Sequence, residues 1–385
     1  MSGSTAAGRA PGDGRPLRWL VMATHVGPGG QGGGIVRYTT QLAAALERRD
    51  DVEVHVLAGE AKEWFRGWLP AERVHAAPRL PRLATALVER LGGGPLGRDG
   101  LDVVQGTKHL LPLRRRIGRA TTVLTVHDMI LLDRPADFDR AKRVLLRRPY
   151  LSSLREADVL ASVSAATAAG VARWVPEAPT RTAVVPLATS PTLLDAVPEP
   201  LPQLAGRSFA LVVGDPSPRK NLPLLVDAWP RVVEQVPGAV LVVVGPDSWG
   251  ETVHGQHFDR LAAAGSLVRL TGLPDAPLRW CYEQAAVVLC PSLAEGFGLP
   301  ALEGLDLGAP VITSTDPALV EATGDAAPHL PFDDPDPWVA ATVAALRRGR
   351  AAADVERAAA GAVRTPRSWD DVAAETVAAV RARRP

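Results

Sequence analysis

The amino-acid sequence predicts an α/β protein built from two doubly wound parallel sheets that face each other across a cleft. The chain has 385 residues, which is too long for one ordinary hydrophobic core and fits two domains of about 150 to 200 residues. Short apolar runs alternate with helical stretches in both halves, as expected of parallel sheets. Five prolines between residues 186 and 203 mark the linker between the two halves.

The domain boundaries follow from these segments. Residues 1–16 are small, polar and rich in Gly and Pro, so they predict a disordered tail and not a signal peptide. Residues 17–190 are predicted to form the N-terminal domain and residues 191–365 the C-terminal domain. Residues 366–385 predict a helix that crosses back toward the N-terminal domain.

The N-terminal half starts with a strand over residues 17–24, followed by a glycine-rich loop, HVGPGGQGGG, and a helix over residues 35–47. The loop contains G-x-G-x-x-G at Gly27, Gly29 and Gly32, which is typical of dinucleotide binding. We discount that interpretation because the loop is saturated with glycine and the second strand closes with Ala58-Gly59, where a ribose-binding acid should stand. The loop remains a backbone that can approach a ligand closely. Further strands are predicted over residues 52–58, 101–105, 121–126, 158–162 and 182–185.

Two features of this half lie in the segments that follow predicted strands. His127 follows the strand over residues 121–126, at the sheet edge where open α/β sheets bind ligands; a turn cap is the alternative for this residue alone. Trp64, Phe65 and Trp68 follow the second strand. A core cluster is the first interpretation of these aromatic residues, and sugar stacking or shallow membrane contact is the second.

The C-terminal half predicts strands over residues 210–213, 240–244, 267–271, 286–290 and 310–313. Arg219 and Lys220 follow the first of these strands, in the loop GDPSPRKN. The fourth strand runs through a glycine-rich turn into a helix, and the start of that helix offers N–H groups and a positive dipole end to an anion. Because both loops leave the same edge of one sheet, cations and helix start are expected to converge on a phosphate.

Glu295 and Glu303 flank this predicted anion site, with seven residues between them. Taken singly, the first is better explained as an acid at a helix start and the second as a solvated helix residue. The apolar helix and the neighbouring glycines favour contact with a ligand at these positions.

Charge divides the chain. Residues 1–190 hold 27 Lys and Arg against 18 Asp and Glu, and residues 191–385 hold 16 against 24. The basic excess lies in two runs, Arg114 to Arg119 and Lys142 to Arg148, which fit an anionic membrane surface or a phosphorylated acceptor as well as ordinary solvated helix faces. Nucleic acid is disfavoured because no aromatic interleaving or binding motif accompanies the arginines.

Cys281 and Cys290 lack the spacing of metal ligands and predict buried reduced thiols, which fits the cytoplasm. A peripheral position at the inner face of the membrane stays open. Two D-x-D pairs, at residues 137–139 and 334–336, invite a divalent metal. We reject both because no third ligand accompanies them and Arg219 with Lys220 supplies positive charge, so no metal or other cofactor is expected.

These residues carry a resemblance to a known family. The chain resembles the retaining GT-B glycosyltransferases of glycosyltransferase family 4, over nearly its whole length from residue 17. The most specific segment is PSLAEGFGLPALEGLDLGAPVI, residues 291–312, which contains the family's E-x7-E motif. The other matching segments are GDPSPRKN at 214–221, TVHD at 125–128, GGGIVRY at 32–38 and Ser368-Trp369 at the start of the last helix.

The resemblance implies two Rossmann-like domains, with the acceptor on the N-terminal one and a nucleoside diphosphate sugar donor mainly on the C-terminal one. It implies that Arg219 and Lys220 neutralise the diphosphate, that Glu303 binds the ribose, and that Glu295 and His127 contact the donor sugar. The implied donor contacts also include Gly33, Gly34, Gly214, Gly272, Leu273, Gly296, Phe297, Gly298 and Leu299. The acceptor is a saccharide, a lipid-linked saccharide or a small natural product.

Retention of the anomeric configuration normally calls for a carboxylate nucleophile, and the sequence places none. The working hypothesis is attack on one face, with the departing phosphate taking the acceptor's proton. Val36 and Pro186-Leu187-Ala188 depart from the family pattern near the phosphates and between the domains. The rival functions are a nucleotide-sugar epimerase or phosphorylase with the same donor site, and a two-domain ligand-binding protein without turnover.

Overall fold

In the computed structural model the chain folds into two α/β domains, each built on one sheet. The structure describes residues 15–30, 32–77, 90, 100–246, 256–363 and 367–384. Every described strand pair is parallel, which confirms the predicted fold class. Residues 1–14 of the predicted tail lie outside the described residues.

The N-terminal sheet has seven strands in the order β3-β2-β1-β4-β5-β6-β7. The strands are β1 (Leu17–Ala23), β2 (Val52–Ala58), β3 (Val74–Ala76), β4 (Val103–Gly106), β5 (Thr121–Val126), β6 (Val159–Ser162) and β7 (Thr182–Val184). The helices are α1 (Gly34–Glu47), α2 (Lys62–Arg66), α3 (Ile130–Asp133), α4 (Arg140–Glu156) and α5 (Ala165–Trp174). The order reverses beside β1, so the loops after β1 and β4 diverge to form the crevice typical of such sheets.

The C-terminal sheet has six strands in the order β10-β9-β8-β11-β12-β13. The strands are β8 (Phe209–Val213), β9 (Val240–Gly245), β10 (Leu267–Thr271), β11 (Val287–Cys290), β12 (Val311–Ser314) and β13 (His329–Leu330). The helices from the linker onward are α6 (Pro191–Asp195), α7 (Leu222–Gln235), α8 (Gln256–Ala263), α9 (Asp275–Gln284), α10 (Leu299–Asp306), α11 (Pro317–Thr323), α12 (Pro335–Val363) and α13 (Trp369–Arg381). Here the order reverses between β8 and β11, so the loops after these two strands face the crevice.

The last helix packs on the N-terminal domain. Trp369 and Val372 of α13 belong to the same buried cluster as Trp19 of β1, and the Tyr38 ring of α1 lies edge-on to Trp369 with 5.7 Å between ring centroids. A capping box at Ser368 starts the helix, because the Ser368 hydroxyl accepts from the Asp371 N–H and the Asp371 carboxylate accepts from the Ser368 N–H. The C-terminal segment therefore returns across the chain to the first domain.

Two details differ from the sequence predictions, and the aromatic cluster follows its first interpretation. Strands β3 and β13 were not predicted, and they contain only three and two residues, too few to show a pattern. The segment predicted as the linker, residues 186–203, contains helix α6, which was not predicted, and buries Leu187, Ala188 and Leu193. Phe65 is fully buried and Trp64 and Trp68 pack beside it, so the aromatic cluster is core.

In the part of the chain that is described, no helix combines the length and the apolar character needed to cross a bilayer.

Candidate active site

The carboxyl edge of the C-terminal sheet carries the glycine-rich turn between β11 and α10. Gly298 ends this turn with φ 97°, in the left-handed region that favours glycine. A Cβ at this position would lie 2.5 Å from Leu319 Cδ2, so packing also requires glycine. Helix α10 therefore begins at the sheet edge, and its positive dipole end lies there.

Glu295 in this turn is bound by two cations from the loop after β8. Lys220 Nζ donates to Oε1 at 2.6 Å, Arg219 Nη1 donates to Oε2 at 3.0 Å, and the Ser292 hydroxyl donates to Oε1 at 2.7 Å. Burial raises the pKa of Glu295, but Lys220 and Arg219 outweigh burial and hold the pKa below its ordinary value. The carboxylate is therefore ionised at neutral pH, inside a cage of two cations and a hydroxyl.

The loop after β8 and the glycine-rich turn form one pocket. Gly214, Lys220, Glu295 and Gly298 all line it. Gly214 makes room for the lysine, because a Cβ at position 214 would lie 3.1 Å from Lys220 Cε. The backbone carbonyl of Arg219 accepts from the Leu293 N–H at 2.7 Å, so the two loops are joined by their backbones.

The N-terminal domain closes directly on this turn. A Cβ at Gly296 would lie 1.6 Å from the carbonyl oxygen of His127, so no side chain fits between the domains here. The Gly296 carbonyl accepts from the hydroxyls of Ser164 at 2.6 Å and Thr167 at 3.0 Å. Glu321 of α11 accepts from the N–H groups of residues 165 and 166 at 2.7 and 3.0 Å. The structure thus shows the cleft in a closed state.

His127 has a fixed tautomer. Its Nε2–H donates to the Thr107 carbonyl at 2.9 Å, and since a carbonyl only accepts, Nδ1 carries the lone pair. Burial lowers the pKa of His127 to about 4, against the opposing effect of the Thr107 hydrogen bond. The Tyr38 ring lies edge-on to the imidazole with 4.8 Å between centroids. At neutral pH the ring is an uncharged hydrogen-bond acceptor.

Glu303 is buried, with 5% of its surface exposed, so its interpretation as a solvated helix residue is wrong. The Tyr282 hydroxyl donates to Oε2 at 2.7 Å. Burial raises the pKa of Glu303 above its ordinary value, although Arg37 and Tyr282 act in the opposite direction. Oε1 is approached by Arg37 Nη1 at 3.5 Å, which leaves this oxygen open to a hydrogen-bond donor.

The remaining predicted donor residues lie on both sides of the cleft. Gly34 faces α10, because a Cβ there would lie 3.8 Å from Leu299 Cδ1, and the space beside Gly33 is open. Gly272 and Leu273 follow β10 and lead into α9. The Phe297 side chain is buried in the core cluster of the N-terminal domain, so only its backbone is available to a ligand.

Sequence reasoning missed the ion pair between Arg37 and Asp275. Arg37 lies in the first turn of α1, and its Nη2 donates across the cleft to Asp275 Oδ1 at 2.6 Å. Its position directly after the glycine-rich loop was the available signal. Asp128 was also missed as a cleft acid: its Cβ lies 3.2 Å from a Cβ placed on Gly296, and burial raises its pKa against the effect of Arg219.

Neither D-x-D pair gathers a metal site. Asp137 pairs with Arg134 at 2.7 Å and Asp336 pairs with Arg231 at 2.8 Å. Among the described residues no three His, Cys, Asp or Glu side chains form a group that could hold a metal ion. Both cysteines are buried free thiols, and burial raises the pKa of each to about 12.

Helix α4 presents an exposed face that is both basic and apolar. Val144 and Leu145 are 68% and 52% exposed, and the exposed Arg143, Arg147 and Arg148 surround them. The opposite face of the helix buries Tyr150, whose hydroxyl donates to the Asp128 carbonyl at 2.7 Å. The basic run of α4 is therefore fixed beside the loop that carries His127.

Comparisons with known proteins relate the chain to glycosyltransferases. Residues 32–192 match the family model described as Glycosyltransferase Family 4, and residues 207–348 match the model described as Glycosyl transferases group 1. The chain is 31% identical to the O-antigen chain mannosyltransferase B of Escherichia coli over 237 residues, which are 60% of this chain and 61% of that protein. It is 32% identical to the D-inositol 3-phosphate glycosyltransferase of Segniliparus rotundus over 178 residues, 44% of this chain and 39% of that protein. These matches span less than two thirds of either relative.

Two solved structures share the fold. Sucrose-phosphate synthase from Thermosynechococcus elongatus has a TM-score of 0.68 at 19% identity, and the match covers 95% of this chain and 98% of that one. Anabaena HepE, solved in complex with UDP-glucose, has a TM-score of 0.65 at 15% identity, with 95% and 100% covered. At these identities the likeness shows the arrangement of two Rossmann-like domains.

Proposed function

Because its two halves match two glycosyltransferase family models, we propose that this protein is a retaining glycosyltransferase. It moves a sugar from a nucleoside diphosphate sugar to a hydroxyl of a saccharide, lipid-linked saccharide or small-molecule acceptor. The observation that carries the proposal is the pocket in which Lys220, Glu295 and the start of α10 converge, with Arg219 paired to the same Glu295. Two cations and a helix N-terminus are suited to a diphosphate leaving group.

The donor is proposed to lie along the carboxyl edge of the C-terminal sheet. Its ribose would donate a hydroxyl to Oε1 of the buried Glu303, and its diphosphate would lie over Arg219 and Lys220. Both cations now pair with Glu295, so an arriving diphosphate shares them with this carboxylate. HepE, a structural neighbour, was solved with UDP-glucose and with UDP, which supports a nucleotide-sugar donor here.

The proposed chemistry follows from where charge develops. The acceptor oxygen bonds to the anomeric carbon while the bond from that carbon to the phosphate oxygen breaks, and the leaving diphosphate takes the electron pair. Fixed cations and N–H groups bind this growing negative charge more strongly in the transition state than in the ground state. The acceptor's proton passes to the departing phosphate on the same face. Arg219 and Lys220 supply positive charge at the leaving group, and we propose that the reaction needs no divalent metal.

His127 and Glu295 are proposed to hold the donor sugar from the two domains. The lone pair on His127 Nδ1 accepts a sugar hydroxyl, since its Nε2–H is committed to Thr107. Glu295 is held in place by three side chains and binds the sugar from the opposite side. The neutral, buried imidazole is a poor proton donor at neutral pH, so its proposed role is positioning.

The acceptor is proposed to bind on the N-terminal domain. The protein is proposed to work in the cytoplasm. The exposed face of α4 combines Val144 and Leu145 with three arginines, a composition that suits the surface of an anionic bilayer. Peripheral contact through this helix would bring a lipid-linked acceptor beside His127. Co-sedimentation with anionic and with zwitterionic vesicles tests this contact. A protein that binds neither type of vesicle removes the membrane from the proposal.

The test of the function begins with thermal unfolding in the presence of UDP, GDP and dTDP and their sugars, because a ligand of the native state raises the midpoint. Transfer is then measured with the donor that binds, using wild type and the Arg219→Ala, Lys220→Ala double variant. Wild-type turnover in the double variant overturns the role of the cations. Since that variant leaves Glu295 buried without a cation, a triple variant that adds Glu295→Gln separates lost folding from lost catalysis.

Three rival functions are distinguished by their products. Release of a free epimerised sugar without acceptor indicates an epimerase, and sugar 1-phosphate formation from a saccharide and phosphate indicates a phosphorylase. Tight nucleotide binding with neither transfer nor donor hydrolysis indicates a binding protein. In that last case Glu295→Ala has no turnover to remove.

A further inference from the structure

Arg37 of the N-terminal domain reaches two acids, Asp275 and Glu303, which lie on either side of the proposed nucleoside position. Arg37 Nη2 lies 2.6 Å from Asp275 Oδ1, and its Nη1 lies 3.5 Å from Glu303 Oε1. Asp275 begins α9, two residues after Leu273, whereas Glu303 lies on α10. The guanidinium therefore joins the elements on both sides of the proposed ribose position to the opposite domain.

The two acids are held differently. Asp275 is fixed by a second partner, the Thr192 hydroxyl, which donates to Oδ2 at 2.6 Å. Arg37 and Asp275 are about a quarter exposed, so solvent screens this pair less than it screens a surface pair. Glu303 has its Oε2 occupied by Tyr282 at 2.7 Å. The 3.5 Å approach of Arg37 to Oε1 is longer than a hydrogen bond, so a ribose hydroxyl can bind that oxygen without displacing the guanidinium.

We propose that Arg37 is a positioning residue for the donor, which closes the nucleoside end of the cleft by pairing with Asp275 and steadies Glu303 for the ribose. The inference rests on the proposed function, because it assumes a ribose at Glu303. Arg37 acts through these two acids, and the diphosphate is bound elsewhere, by Arg219 and Lys220. Donor affinity should therefore depend on Arg37 only for ligands that contain a nucleoside.

The electrostatic surroundings of Glu303 support this assignment. Arg37 from α1 and Tyr282 from α9 favour its ionised form, while Asp275 from α9 and Asp306 from α10 oppose it, and Cys290 at the end of β11 also faces it. Arg37 is the largest of the effects that offset burial. Removing Arg37 would therefore raise the pKa of Glu303 further and move the acid limb of donor binding to higher pH.

The test measures inhibition by two probes, the nucleoside diphosphate that wild type binds and inorganic pyrophosphate, which lacks a ribose. For Arg37→Ala we expect donor KM and the nucleoside diphosphate inhibition constant to rise about fivefold, the effect of losing roughly 1 kcal/mol. We expect kcat and the pyrophosphate constant to change less than twofold. Asp275→Asn keeps an acceptor for Thr192 and should give most of the same effect, and the double variant should be no worse than Arg37→Ala.

The matched control is Arg48→Ala, at the other end of α1. Arg48 pairs with Asp370 at 2.6 Å, with both side chains more than half exposed, and its loss should leave both probes unchanged. Thermal unfolding checks that each variant folds, and Asp275→Asn serves if Arg37→Ala does not. The inference is overturned if Arg37→Ala matches Arg48→Ala, if pyrophosphate weakens as much as the nucleotide, or if the two substitutions are additive. If wild type binds no nucleoside diphosphate, the proposed function fails and this inference fails with it.

Discussion

Gly296→Ala tests whether the closed cleft is the working state. In the closed structure an added Cβ would lie 1.6 Å from the His127 carbonyl oxygen. Contacts of a real Cβ atom are at least about 3.0 Å, so the two domains would have to separate by about 1.4 Å at this point. Backbone faces backbone here, and neither side can move away by changing a rotamer.

The separation also breaks the two hydrogen bonds that the Gly296 carbonyl accepts from Ser164 and Thr167. At about 1 kcal/mol each, their loss shifts the balance between closed and open cleft by about 2 kcal/mol, or about thirtyfold. We expect kcat to fall by up to about thirtyfold, since only the closed cleft brings His127 to the donor sugar. The affinity for a nucleoside diphosphate, which the C-terminal domain is proposed to bind, should fall no more than about fivefold, the effect expected when Arg37 is parted from Asp275.

The assay for Gly296→Ala is steady-state transfer, together with calorimetric titration of the nucleoside diphosphate and a thermal unfolding scan. Gly67→Ala is the control, because Gly67 is exposed and an added Cβ would approach only the Trp64 carbonyl, at 3.1 Å. Turnover of Gly296→Ala within threefold of wild type would show that transfer does not depend on this closed contact. An equal loss in Gly67→Ala would show that the effect is not one of closure.

Three other predictions concern charge and hydrogen bonding in the same site. Lys220→Met should lower the unfolding free energy by about 3 kcal/mol because it leaves Glu295 buried with one cation. Adding Glu295→Gln should restore stability in a denaturant titration while transfer stays low. Recovered transfer would contradict the proposed role of Lys220 at the leaving group. His127→Asn keeps a donor for Thr107 and an acceptor for the sugar, so its kcat should exceed that of His127→Ala at least tenfold. Because the pKa of His127 is about 4, the pH profile of kcat/KM near pH 6.5 should be the same in wild type and in His127→Asn. Donor binding to wild type should weaken as pH falls through the raised pKa of Glu303, because protonation removes the acceptor for the ribose hydroxyl; Glu303→Gln should bind more weakly at pH 8 and lose this pH dependence in calorimetric titrations.

The sequence predicted most of the fold because buried parallel strands are written in the chain as short apolar runs. Residues 52–58 and 121–126 were predicted as strands with the bounds that the structure has. The edge strand β13, with two residues, leaves no such signal. The ordered linker was also missed, since the burial of Leu193 depends on contacts with the C-terminal core and not on a local pattern.

The candidate site was predictable where chemistry and backbone geometry lie close together in the chain. The convergence of Lys220 and the glycine-rich turn was predicted because both loops leave the carboxyl edge of one sheet, whereas the ion pair between Lys220 and Glu295 was not. The Arg37–Asp275 pair joins residues 238 positions apart in different domains, and nothing local in either segment indicates its partner. The burial of Glu303 likewise depends on Tyr282, a residue from another helix.

The central claim, transfer from a nucleoside diphosphate sugar bound at Arg219, Lys220 and Glu295, is tested most directly by one measurement. Purified wild type and Glu295→Gln are incubated with each UDP, GDP and dTDP sugar and a pool of saccharide and lipid-linked acceptors, and the released nucleoside diphosphate and the glycosylated product are quantified together. The account predicts equimolar release and product with at least one donor, and a loss of at least a hundredfold in Glu295→Gln. Nucleotide-sugar turnover that Glu295→Gln leaves intact, or no turnover of any of these donors by wild type, would contradict it.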